Sequence, residues 1–320
     1  MVNNSNNKIK AISKRMISII KKNKRTSIVI GGLIILILAI AITNAIAPEF
    51  QDYNIVVPNE IRNVISEEIF KRNGIIEREG IYVVSDSDAR KDVECYGNGF
   101  VILGGKKNKK GTTIYYTYSY SGYGFVNDKF IAKTGVSVIP TTITLDNDNH
   151  VIDYKEVEDG AYFSDSIQEM YPTIIQRRYE GILSEPTTYE DLNNQSKIYA
   201  QVYLSKIGRE TEIGTYSSYS FNVLSDYNVS TKVCNALGER HSDYDIYVGT
   251  FETIEGGERY KYYQLWEDDS ETTYSGNGIV TYKKERMSDQ KIIEEFRYRV
   301  KGDSYAQILK PVKGKSEKPR

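Results

Sequence analysis

Residue types that could do chemistry are scarce among the 320 positions, which hold two histidines, His150 and His241, and two cysteines, Cys95 and Cys234. Neither histidine has a second ligand at a spacing such as HExxH, and both fall in polar stretches that read as solvated loops. No GxSxG and no Cys–His signature supports a nucleophilic triad. No CxxC supports a zinc site. No catalytic residue, metal ligand or cofactor is therefore expected, and the chain reads as a non-enzyme. Cys95 and Cys234 form an even pair. In an oxidising compartment they would close a disulfide; the alternative is two separate buried thiols.

The remaining candidates concern binding. Asp146, Asp148 and Asn149 invite a calcium reading, but an EF-hand loop starting at Asp146 would need Gly and Glu where Val151 and Val157 stand. A turn rich in Asn and Asp is the better account, and Asp243/Asp245 and Asp268/Asp269 read the same way. Gly97-Asn-Gly99 is too short for a nucleotide fingerprint and also reads as a turn. Tyr116, Tyr118 and Tyr120 alternate with other residues on one predicted strand, and Tyr260, Tyr262 and Trp266 share a face of another. Such aromatic rows either stack on a sugar or peptide or form the core side of a sheet. Lys106, Lys107, Lys109 and Lys110 crowd a predicted hairpin tip. That tip would touch lipid headgroups or anionic wall polymers, or remain a solvated turn.

The elements that must position these residues fall into two similar series. Ile61, Val64, Ile65 and Ile69 follow helical spacing after Pro58, with Gly74 as a stop. Short strands follow at Ile81–Val84, Gly99–Leu103, Thr112–Tyr120, Phe125–Lys133, Val136–Leu145 and Val151–Glu156. One or two short helices occupy Asp165–Tyr179. A second long helix begins at Pro186-Thr187-Thr188, where capping-box pairs reach Glu190 and Asp191, and ends at Gly208. More strands are expected at Ile213–Leu224, Ser230–Ala236, Ile246–Ile254, Arg259–Trp266, Gly278–Lys284, Ile292–Lys301 and Tyr305–Leu309. Turns at such short intervals argue for antiparallel meanders. The expected fold is α+β. It consists of two tandem helix-plus-meander, cystatin-like lobes over 48–185 and 186–309, with one merged sheet as the alternative.

Ahead of them lies Ser27–Ala47, 21 residues without a charge, of which 16 are Ile, Leu, Val or Ala. As a helix it spans about 30 Å, one hydrocarbon core, so a single-pass membrane helix is expected. Residues 1–26 hold eight Lys and Arg and no acid, which keeps them cytoplasmic and sends the C-terminal part outside the cell. A cleaved signal peptide is the rival; the apolar stretch is longer than such peptides carry. Ile9, Ile12, Met16, Ile19 and Ile20 would also let the basic segment lie on the inner leaflet. Beyond the span, 34 basic residues face 43 acidic ones, a net of about −9, which argues against nucleic acid as a partner. The tail Lys310–Arg320 is basic, carries two prolines and reads as disordered.

Two stretches carry a family likeness. One runs from Phe125-Val-Asn-Asp through Val136-Ser-Val-Ile-Pro-Thr-Thr to Asp159-Gly-Ala-Tyr-Phe163. The other runs from Tyr247-Val-Gly-Thr-Phe through Leu265-Trp-Glu-Asp to Gly278-Ile-Val-Thr-Tyr. Both resemble segments of membrane-anchored envelope proteins of Firmicutes. They are also similar to the extracellular C-terminal modules of some clostridial beta-lactam-sensor-type membrane metallopeptidases. The metallopeptidase core, with its HExxH, has no counterpart here. The resemblance implies an extracellular module for binding or sensing, with a wall polymer, a peptide or an envelope protein as partner. A structural subunit of an envelope secretion or conjugation assembly is the alternative.

Overall fold

Residues 53–84, 91–109, 111–134, 137–269 and 276–309 are described by a computed structural model. The expected span Ser27–Ala47, the basic segment before it and the tail Lys310–Arg320 lie outside these residues. Among the described residues, no helix is long and apolar enough to cross a membrane.

Helix α1 (Asn59–Arg72) forms where the spacing predicts it. Asn73 donates its side-chain amide to the Ile69 carbonyl at 2.8 Å, and Gly74 takes the left-handed conformation (φ 67°) that ends the helix. Its apolar stripe, Ile65 and Ile69, packs on Phe100, Ile114, Tyr116 and Tyr118. A two-stranded ribbon follows, β1 (Ile75–Arg78) with β2 (Ile81–Val84).

The centre of the molecule is the hairpin of β3 (Cys95–Asn108) and β4 (Gly111–Val126). The expected loop 104–111 is mostly strand. A register shift after Ile102 absorbs the extra residue, and the exposed lysines ride on the strand end. Strand β4 also pairs with β6 (Ile139–Leu145) and β5 (Lys129–Ala132), and β6 pairs with β7 (Val151–Glu156).

Helices α2 (Phe163–Met170), α3 (Thr173–Ser184) and α4 (Pro186–Lys206) then cover this first meander. The capping boxes expected at Thr187 and Thr188 do not form. Proline at the first helical position starts α4, and the Thr188 hydroxyl instead donates to the Ile182 carbonyl at 2.6 Å.

Helix α4 was expected to open a second lobe. It lies instead on β3 of the first meander. Gly97 and Gly99 make this approach feasible, because a Cβ at either position would collide with the backbone carbonyl of Ser196 or Leu192. The pair read as a turn is thus a mid-strand contact. Gln195 completes the fit. Its amide accepts from the Phe100 N–H at 3.1 Å and donates to the Phe100 carbonyl at 3.2 Å, satisfying the strand's free edge.

The second meander comprises β9 (Gly249–Glu255), β10 (Glu258–Asp268), β11 (Gly278–Arg286), β12 (Lys291–Lys301) and β13 (Ser304–Leu309), paired in sequence. Short β8 (Ile213–Thr215) runs parallel to β5. Ser230–Ala236, read as a strand, belongs to helix α5 (Thr231–Arg240), whose start is capped by the Ser230 side chain accepting from the Val233 N–H. Its residues Val233 and Leu237 pack on Val280, Tyr282, Tyr298 and Val300.

The two meanders share one 11-stranded sheet, so the merged arrangement holds rather than two tandem cystatin-like lobes divided at residue 186. The broad expectation of an α+β fold, mostly antiparallel, stands. The junction is narrow: β4 meets β9 through the single pair Val126–Phe251.

Candidate functional site

The narrow junction is reinforced by charge. Glu94, just before β3, and Glu252 on β9 are buried carboxylates. Arg259 on β10 bridges them, donating to Glu252 at 2.8 Å and to both oxygens of Glu94. Arg209, after α4, forks onto Glu252 at 2.6 and 3.0 Å and lies 3.5 Å from the centre of the Phe125 ring. The Tyr203 hydroxyl on α4 donates to Glu94 at 2.5 Å. Burial alone would lower the Arg259 pKa, but the hydrogen bonds and charge of Glu94 and Glu252 outweigh it and raise it. Two positive and two negative groups thus neutralise one another, as a buried network requires.

A second set of charges stands at the mouth of the seam. Lys133, whose side chain is 2% exposed, holds Asp92 at 2.7 Å and Asp245 at 3.4 Å. Asp92 comes from the first meander, while Asp245 sits in the segment between α5 and β9. Beside them opens a cleft of about 700 Å³, which Lys133 and Asp92 line on one side and Asp245, Tyr247, Phe251 and Tyr262 on the other. Glu255 and Lys284 close its far end, paired at 2.8 Å, and the Tyr262 hydroxyl donates to Glu255 at 2.7 Å. Burial would raise the Glu255 carboxyl, but Lys284 and Tyr262 overcome it and hold it below the usual carboxylate range.

On the other side of segment 242–246 lies a cleft of about 520 Å³, lined by Cys234, His241, Gln264 and Tyr282 among others. Tyr244 lines both clefts. Its buried hydroxyl has no hydrogen-bond partner among the described residues, and burial raises its pKa. The arrangement offers paired ions, hydrogen-bonding groups and ring faces to a polar guest.

Several expected sites take other roles. Tyr116 and Tyr118 are fully buried beneath α1 and Tyr120 is half-buried, so that row is core. Sheet faces bury aromatics wherever a helix covers them. Trp266 packs with Tyr227 in the second core, and Tyr260 lies under the Lys284 ammonium. Of the six aromatics proposed as contacts, Tyr262 is the one that lines the larger cleft. Of the two readings of the cysteines, the separate thiols hold and the disulfide does not form: Cys95 and Cys234 are free and belong to different cores. Burial pushes the Cys95 thiol well up, leaving it unreactive.

His241 is not a solvated loop residue. It ends α5, stacks on Tyr282 with ring centres 4.1 Å apart, and pairs through Nε2 with the Tyr298 hydroxyl at 2.9 Å. His150 is exposed, as expected. Asp146, Asp148 and His150 come together, but as turn chemistry: the backbone N–H groups of Asp148 and His150 both donate to Asp146 Oδ1 at 2.9 Å.

Glu94, Glu252, Arg259, Lys133 and Asp245 escape sequence reasoning because, apart from the Arg259–Glu252 pair across the β9–β10 hairpin, their partners lie far away in the chain. A usable signal was present at Glu94 and Glu252, carboxylates that directly follow the apolar residues Val93 and Phe251 in strand-forming stretches. Comparison with protein-family models, with curated proteins and with solved structures gave no match.

Proposed function

We propose that this chain is a membrane-anchored, non-enzymatic binding or sensing module whose ligand occupies the larger seam cleft. The span is Ser27–Ala47, and the two-meander module works on the outer face of the membrane. The cleft itself carries the reading. It combines rings of Tyr216, Tyr244, Tyr247 and Tyr262 with carboxylates and ammonium groups contributed by both meanders. That mixture suits a polar guest with apolar faces, such as a wall-derived glycopeptide.

Full-length protein in detergent would be titrated with soluble muropeptides and followed by calorimetry. Saturable binding that Tyr247→Ala weakens at least about tenfold is expected, since a stacking ring contributes on the order of 1–3 kcal/mol. No saturable heat, or heat indifferent to Tyr247→Ala, would overturn the cleft assignment.

One observation favours the alternative, a structural subunit of an envelope assembly. Strand β13 pairs with β12 on one side only, leaving an edge that a neighbouring subunit could extend. Stable oligomers of the intact chain in mild detergent would support that role, and a strict monomer would argue against it.

A further inference from the structure

The lysine-bearing end of the β3–β4 hairpin is tied to the point where the described chain begins. The Gly105 N–H donates to the Tyr53 carbonyl at 3.0 Å. The Lys106 ammonium lies 5.2 Å from the centre of the Tyr53 ring. Arg178 on α3 binds the Asn54 side chain at 2.8 Å and the Leu103 carbonyl at 2.6 Å. Tyr53 and Asn54 are therefore fixed to the hairpin from two directions.

Tyr53 follows Ala47, the end of the apolar segment, by six residues. Six residues reach at most about 20 Å. On the reading that Ser27–Ala47 crosses the bilayer, the hairpin end must stand close to the headgroups. Lys106, Lys107 and Lys109 are exposed there. Val56, in the same entering segment, is 95% exposed, the kind of apolar side chain an interfacial layer covers. The neighbouring acidic turn is internally engaged, since Asp146 accepts from the Asp148 and His150 backbones and faces the His150 ring at 3.3 Å. The outer chain as a whole is acidic, so this cationic end runs against its average charge.

We propose that Lys106, Lys107 and Lys109 dock the outer module onto the anionic phospholipid surface of the membrane that holds the anchor. The inference rests on the anchor in the reading above and adds a second point of attachment. One span alone leaves the module free to swivel. A tether plus a cationic contact fixes which end faces the lipid and leaves the seam cleft elsewhere on the surface.

The test uses the intact chain in nanodiscs, one set of pure phosphatidylcholine and one rich in phosphatidylglycerol, whose negative surface attracts basic segments. A water-soluble amine-acylating reagent is applied and labelling is read by mass spectrometry. Lys232, exposed on α5, serves as the internal reference. Lys106, Lys107 and Lys109 are expected to label at least about threefold more slowly on the anionic discs, with the difference lost at high salt. Equal labelling on both compositions overturns the docking inference alone, provided the chain co-purifies with both discs. A chain that co-purifies with neither overturns the anchor and this inference together.

Discussion

The two meanders bury their strands differently. Strand β4 is buried along nearly its whole length, with α1 on its Tyr116–Tyr118 face and the α2–α4 layer on the other. Small polar residues Thr117, Ser119 and Ser121 are buried between the large ones, leaving room for helices to approach. In the second meander one face meets α5, and the other carries ion pairs, Arg297–Glu267 and Arg299–Asp269 among them. Here Lys283 and Lys261 flank the Tyr263 ring, and burial with the nearby Glu285 pushes that phenol up to about 12. A sheet covered on two sides needs small residues where helices touch it. A sheet covered on one side needs charges on its wet face. The charged quartet, with its two buried carboxylates, lies where the two regimes meet.

That contrast sets the order of expected effects. Arg259→Met would leave Glu94 buried without its cation and should cost about 3–5 kcal/mol. Urea unfolding would measure it, and a loss below about 1 kcal/mol would show that the quartet does not hold the seam. Next comes His241, pushed down to about 4 by burial, with Arg240 contributing. The unfolded chain takes up that proton near pH 6.5, but the folded chain does so only near pH 4. Stability should therefore fall as pH drops from 6.5 to 4 and level off below, by about 3 kcal/mol. The second meander's core should feel this acid sensitivity, and His241→Phe should remove it from a comparison of melts at pH 7 and pH 4.5.

A subtler effect is expected in hydrogen exchange. Amides of β4, paired on both sides and covered on both faces, should exchange last, and those of β13 first. Equal protection would make the two meanders one cooperative block. Smallest of all, Arg299→Ala on the wet face should change stability by less than about 1 kcal/mol, and a larger loss in the same urea assay would contradict the one-sided picture.

The sequence made most elements legible because periodicity is local. Val151–Glu156 forms as predicted, and the strands from Glu258 onward move by few residues. Misreadings arose where a tertiary partner decided the outcome. Gly97 and Gly99 carry the signature of a turn until α4 is set against them. Ser230–Ala236 looks like a strand because its apolar residues are few, although Ser230 is a good helix cap. The aromatic rows were visible, but alternation cannot say whether a face meets solvent or a helix. Of the larger cleft, Tyr262 alone was anticipated as a contact. Lys133, Asp92 and Asp245 come from three separate stretches, and only folding joins them.

Gln195 has a consequence in time. It supplies the donor and acceptor that complete β3 at Phe100, yet it follows Phe100 by 95 residues. A ribosome adding about 5–20 residues per second needs roughly 5–20 s to cover that distance. Through that interval a nascent β3–β4 hairpin would present a bare edge to any passing strand. The pace of synthesis thus sets how long that edge stands open before α4 arrives to cover it.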